Sequence, residues 1–230
     1  MSKSRIIESV RNLDLKTTRE LLDATPSLLN VTDRQGRNLL HLACSASCPN
    51  LKVPESTATR MVSFLLDCGM DLESPLAVSD CDTVNALWFA VARGRNRKLV
   101  KLLIDRGAKV NGLYAAGWYE DMDILDLLIR GGAEIDVPQE QSPFLACWNW
   151  KRFKAAKYLV LKGADPNYQD RNSGKTALHY GIEKEFDPAL LRWLVSHGAS
   201  PDVEDRHGTS ARAKASRKRN KKFLAALQGS

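Results

Sequence analysis

Histidine and cysteine are the side chains here best suited to metal or nucleophilic chemistry, and His41, Cys44 and Cys48 fall close together. A structural zinc site draws on closely paired thiolates, and no C-x-x-C pair occurs. Small buried thiols on helices are the commoner use of such residues. The cysteines (Cys44, Cys48, Cys68, Cys81 and Cys147) form an odd, irregularly spaced set. That set fits reduced thiols in a cytosolic compartment better than a disulfide framework. A catalytic histidine needs a nucleophile or an acid held against it at defined geometry, and His41 and His179 are the histidines to weigh against that requirement. There is no phosphate-cradling glycine loop, no G-x-S-x-G elbow, no H-E-x-x-H and no kinase signature. Aspartates are plentiful, but at turn and capping positions. The expectation is a non-enzymatic chain with no catalytic residue, no metal and no cofactor.

Charge offers a second chemistry. The 230 residues carry a net +7, but residues 206–230 hold eight basic groups and no acid. With those removed, 26 basic residues stand against 27 acidic ones. Arg212, Lys214, Arg217, Lys218, Arg219, Lys221 and Lys222 are therefore candidate anion-binding residues. The run from Arg217 to Lys222 also resembles a short nuclear-import sequence. The ordinary alternative is a hydrated face of a capping helix, since Phe223, Leu224 and Leu227 supply a buried stripe. No aromatic residue lies in 206–222, so base stacking is not available there. No apolar run approaches the roughly 20 residues of a membrane helix, and no secretory signal is evident. An intracellular, cytoplasmic chain with no membrane partner is expected, monomeric on its own.

The elements that must position these residues announce themselves by repetition. Five segments end alike: FLLDCGMDLE, LLIDRGAKVN, LLIRGGAEID, LVLKGADPN and WLVSHGASPD. Their glycines, Gly69, Gly107, Gly132, Gly163 and Gly198, are 38, 25, 31 and 35 residues apart. The apolar pairs fall at helical spacing, and each glycine stands where the helix must stop. Upstream of these endings lie shorter apolar segments: NLLHLACS, NALWFAVAR, SPFLACWNW and TALHYGIEK. Small residues such as Ala43, Ala90 and Gly181 recur in them and let paired helices approach. The unit is turn, short helix, loop, longer helix, turn.

The segments from Gly36 to Ala43 and from Gly174 to Gly181 resemble the ankyrin signature G-x-T-P-L-H-x-A, and with the glycine endings the likeness covers nearly the whole chain. The resemblance implies an all-α ankyrin-repeat solenoid of stacked helix-turn-helix units with projecting hairpin-like loops. About seven units are expected in one domain over 1–230. They are an N-terminal cap (1–32), repeats (33–80, 81–111, 112–136, 137–168 and 169–205) and a basic C-terminal cap (206–230). His41 and His179 are then structural, each tying its unit to a neighbouring loop. Trp88 and Leu145 replace that histidine in two other units, which should be less rigid.

Departures from the pattern bear on function. Roughly nine extra residues, rich in Ser and Pro, separate Ala43 from Met61 and predict a surface loop. Leu113 follows Gly107 by a step of only six residues, so the projecting hairpin there should be missing and the solenoid bent or notched. The resemblance also implies that a protein partner is bound by hairpin tips and the exposed side of each first helix. Carried over residue by residue, it points to Arg34, Gln35 and Arg37, then to Cys81, Asp82 and Arg93. Further along it points to Gln139, Gln141, Trp148 and Asn149, then to Arg171, Asn172, Lys175, Glu183 and Lys184. Trp148, with Trp150 nearby, falls where the family exposes a variable residue, and Trp118 and Tyr119 sit beside the shortened connection. Tryptophan is enriched among residues that dominate interfaces. The competing reading is that these indoles fill space left by the lost hairpin.

Overall fold

A computed structural model describes residues 2–77, 83–136, 141–218 and 220–228. Cys81, Asp82, Gln139 and Arg219 lie outside the described residues. The chain divides into two compact units: Met1–Ala116 with Asp123–Ala133, and Gly117–Met122 with Glu134–Ser230.

In the first unit, α1 (Ser2–Arg11) turns into α2 (Leu15–Ala24) at Leu13, whose φ is 56°. The Asp14 carboxylate caps α2 by accepting the Thr17 N–H (3.0 Å). Leu28 is held in a 3-10 turn (Pro26–Asn30) that follows. Next come α3 (Leu39–Ser45) and α5 (Glu55–Asp67). Between them, Ser47 and Pro49 start a one-turn helix, α4 (Cys48–Leu51), with Cys48 buried beneath it. The insertion is thus not simply the surface loop its composition suggests. α6 (Ala86–Phe89) runs on into a π-helical turn (Ala90–Gly94), and α7 (Arg97–Asp105) follows. α3 packs on α1 and α6, and α5 packs on α7, so first helices lie against first helices and second against second in chain order. α8 (Leu113–Trp118) and α9 (Met122–Arg130) come next, and no strand forms between α7 and α8 among the described residues.

Two devices tie the loops down. The Asn38 N–H donates to His41 Nδ1 (3.3 Å), which leaves Nε2 to donate to the Ser74 carbonyl (3.0 Å). In the unit where Trp88 replaces histidine, Asn85 Nδ2 reaches Glu73 Oε2 and the Lys109 carbonyl (both 3.1 Å). The Lys109 N–H closes the link on Glu73 Oε1 (2.8 Å). A polar bridge through the adjoining loop thus stands where the imidazole would have been. Nearby, Leu76–Ala77 and Thr83–Val84 pair as an antiparallel hairpin, and Thr32 bridges Asn38.

The second unit repeats the scheme with α10 (Pro143–Asn149), α11 (Phe153–Leu161), α12 (Ala177–Glu183), α13 (Pro188–Ser196), α14 (Ala211–Arg217) and α15 (Lys221–Ala226). α10 packs on α12, α12 on α14, and α13 on α15. α11 ends at Gly163, whose φ of 104° only glycine adopts at little cost. The Gly163 N–H reaches the Val160 carbonyl and the Ala164 N–H the Leu159 carbonyl (both 3.0 Å), which satisfies the last turn. His179 Nδ1 accepts the Thr176 N–H (3.1 Å), and its Nε2 donates to the Thr209 carbonyl (2.9 Å). Glu204 bridges Ser210 in the last projecting loop.

Candidate interaction surface

The projecting loops share a device that the sequence shows as Asp-Arg followed closely by glycine. Asp33 Oδ1 accepts the N–H groups of Gln35 (2.9 Å) and Arg37 (3.0 Å). Asp205 Oδ1 accepts those of His207 (2.9 Å) and Thr209 (3.1 Å). Asp170 Oδ1 accepts those of Asn172 (2.9 Å) and Ser173 (2.8 Å), while its Oδ2 takes Gln141 (2.8 Å) and Tyr180 (3.1 Å). Burial alone would raise the Asp170 carboxyl, but the donors of Gln141 and Ser173 hold it below its ordinary value. These aspartates were not singled out in advance, although their threefold recurrence before a glycine was visible. They shape the loops from inside.

The loops place the expected partner-binding residues unequally. Arg34, Gln35, Arg171 and Asn172 stand exposed at the tips, and Arg93 is exposed at the end of its helix. Arg37 is drawn back onto Asp33 (2.7 Å), which also holds Arg11 (2.8 Å). Together with Lys3 and Arg34 these residues line an open depression of about 840 Å³. Gln141 is committed to Asp170. Lys175 is paired with Glu183 (2.9 Å), and Lys184 donates to the Asn149 carbonyl (3.2 Å).

Trp148 requires a correction. It is fully buried, not on the variable outer face, because Phe153 (5.3 Å between centroids) and Phe186 (5.9 Å) surround its ring. Its Nε1 donates to the Ala177 carbonyl (2.9 Å). The indole welds neighbouring helix pairs and is not available to a partner.

The other aromatics behave differently. Trp118, Tyr119 and Trp150 are 44%, 41% and 38% exposed. Trp118 and Trp150 meet edge to face, 5.2 Å apart, and the Arg152 guanidinium lies 4.7 Å over the Trp118 ring. Two backbone turns make this possible: Glu120 and Lys151 both adopt left-handed conformations, at φ 52° and 60°. Glu120 Oε1 also accepts the Lys154 N–H (3.0 Å) and so fixes the start of α11. Gly117 sits so close to the Cys147 sulfur that a Cβ there would overlap it. Arg152 Nε and Asn149 Oδ1 are buried here with no partner among the described residues.

The basic C-terminal run does not form one free patch. Arg212 is paired with Asp202 (2.7 Å), Lys214 with Glu183 and Asp205, and Lys218 with Glu185 (3.2 Å). Opposite charges thus occupy Arg212, Lys214 and Lys218, while Arg217, Lys221 and Lys222 are exposed. The thiols are not poised for chemistry either. Cys44 and Cys147 are buried, which raises both, Cys147 to about 12. Among the described residues no cluster of three or more His, Cys, Asp or Glu could hold a metal ion.

The family model for ankyrin repeats matches in three copies, over residues 6–112, 113–205 and 143–228. The chain belongs to the ankyrin-repeat family. Among curated ankyrin relatives, a putative ankyrin repeat-containing protein of Treponema pallidum (strain Nichols) is 36% identical over 87 residues, 36% of this chain and 28% of that protein. A putative ankyrin repeat protein, L92, of Acanthamoeba polyphaga mimivirus is 41% identical over 56 residues, 24% of this chain and 13% of that one. An intracellular phospholipase A2 of Caenorhabditis elegans is 24% identical over 93% of this ankyrin chain, but the match covers only 23% of the enzyme. The chain thus spans under a third of each of these relatives. Among solved structures, the ankyrin repeat domain of Bcl-3 superposes with a TM-score of 0.78 at 21% identity, covering 98% of both chains. The human ASB11 ankyrin repeat domain gives 0.70 at 19% identity, covering 96% of this chain and 95% of that one. At these identities the structures show the fold alone. Ankyrin-repeat folds are typically non-enzymatic scaffolds that bind other proteins, and no helix described here is long and apolar enough to cross a membrane.

Proposed function

We propose that this ankyrin-repeat chain is an adaptor that binds a protein partner at the Trp118–Trp150 pair, with Tyr119 and Lys184 extending the contact. The observation that carries the reading is two indoles, each more than a third exposed, locked edge to face and backed by Arg152. Rigid aromatic anchors bury large area at little ordering cost, and Trp and Arg dominate interface energetics. Lys184, which donates to the Asn149 carbonyl next to Trp150, supplies a polar edge in the same compact unit. A cytoplasmic or nuclear setting agrees with the free thiols of Cys44, Cys48, Cys68 and Cys147.

The test compares proteins captured from the native source by the wild type and by the Trp118→Ala/Trp150→Ala variant, followed by affinity measurement on the purified partner. Removing both anchors should weaken binding by about 2–4 kcal/mol, a loss of thirtyfold or more, with the melting curve little changed. Recovery of the same partner at equal affinity refutes the assignment.

A further inference from the structure

Positive charge unaccounted for by ion pairs gathers on the outer helices of the second unit. α11, α13 and α15 contain Lys154, Lys157, Arg192, Lys221 and Lys222 and no acidic residue. The second helices of the first unit are mixed: α2 carries Glu20 and Asp23, α5 Glu55 and Asp67, and α7 Asp105. On α11, Lys154, Lys157, Tyr158 and Leu161 recur at three- and four-residue steps and form one stripe, opposite buried Ala155, Ala156 and Leu159. Leu161 is 65% exposed, an aliphatic side chain standing among cations. Lys157 Nζ lies 5.1 Å from the Trp193 ring on α13, and α13 packs against α15, so the three helices make one face. None of Lys154, Lys157, Arg192, Lys221 and Lys222 has an acidic partner among the described residues. The acids nearby are spent at helix ends, Glu120 on the Lys154 N–H and Asp187 on the Ala189 N–H (2.9 Å).

We propose that this face, built from α11, α13 and α15, docks on the surface of an anionic lipid bilayer. The chemistry of the face favours that occupant over others. Recognition of fixed carboxylates or phosphates selects the arginine fork, whereas four of these five cations are lysines, point charges suited to a smeared anionic plane. An exposed leucine one turn from Tyr158 on α11, on the face that Trp193 also joins through Lys157, has a place at the headgroup boundary, where aromatic rings and short apolar insertions settle. It offers nothing to a nucleic acid. The Trp193 ring, moreover, already stacks on His197 (3.9 Å between centroids), which occupies a surface a base would need.

Cosedimentation of the full chain with phosphatidylcholine vesicles, with and without phosphatidylserine, tests the proposal. Binding is expected only with phosphatidylserine and falls as salt rises. Lys154→Gln, Lys157→Gln and Lys222→Gln should each weaken it about fivefold, since a lysine near such a surface is worth about 1 kcal/mol. Leu161→Ser should weaken it severalfold while the melting curve stays put, and Lys101→Gln in the first unit, an equal loss of charge, should change nothing. Trp118→Ala/Trp150→Ala should leave vesicle binding intact, which separates this face from the protein-binding site. Absence of phosphatidylserine-dependent binding at low salt overturns the proposal, as does an equal effect of Lys101→Gln. Tighter binding to duplex DNA than to vesicles at matched salt, lost with the same lysines, would make the occupant a nucleic acid and overturn it too.

Discussion

Trp148→Ala should nearly unfold the second unit. The indole is fully buried against Phe153 and Phe186, so its removal empties a space that three aromatic rings share. Truncating a buried Trp costs about 3–5 kcal/mol, and the Ala177 carbonyl would lose its donor for a further ~1 kcal/mol or more. A total near 5 kcal/mol approaches the whole stability of a domain, about 5–15 kcal/mol. Urea unfolding followed by far-ultraviolet circular dichroism reads the loss as a lowered midpoint. Trp148→Phe keeps most of the ring volume but no donor, and should fall between wild type and alanine at about 1–2 kcal/mol. A Trp148→Ala midpoint within about 1 kcal/mol of wild type, accompanied by lost partner binding, would refute the packing assignment.

Gly117→Ala should cost about 1–3 kcal/mol by driving a methyl into the Cys147 sulfur, and Cys147→Ala in the same chain should recover much of it, as a double-mutant thermal melt would show. Burial lowers both His41 and His179, despite the carbonyls of Ser74 and Thr209 that favour the charged rings. The folded chain therefore binds fewer protons than the unfolded one. Stability should hold above the usual histidine value of about 6.5 and decline as pH falls below it, measured as urea midpoints at about pH 7.5 and 5.5. His179→Gln should flatten that decline. Asp170→Asn places an amide donor against donors and should cost about 1–3 kcal/mol at neutral pH by urea titration. Because the wild-type Asp170 carboxyl is held low, the contribution is present above the usual carboxylate range and lost as pH falls through it, so the two proteins should converge in acid.

The helix endings were legible because a glycine and an apolar pair are local signals, and Gly163 with its two backbone bonds closes α11 as that pattern requires. The signature histidines were legible for the same reason. For Trp148 the sequence leaves an outer position and a packed one both open, because its surroundings are not local: Phe186 and the Ala177 carbonyl arrive from later in the chain and make it core. The charge of the C-terminal run was legible, but its pairing with Asp202, Glu183 and Glu185 was not, since each partner lies ten or more residues away. Trp118 and Trp150 were recognisable as residue types. Their edge-to-face geometry needed the left-handed turns at Glu120 and Lys151, which no propensity marks.

The aspartates inside the projecting loops carry one more implication. Asp33, Asp170 and Asp205 grip main-chain N–H groups, so the shape of each loop is set without reference to the side chains beyond them. Arg34, Gln35, Arg171, Asn172 and His207 are consequently decoupled from the scaffold's integrity. Such loops can be rewritten at their crests, one letter at a time, while the architecture stays the same.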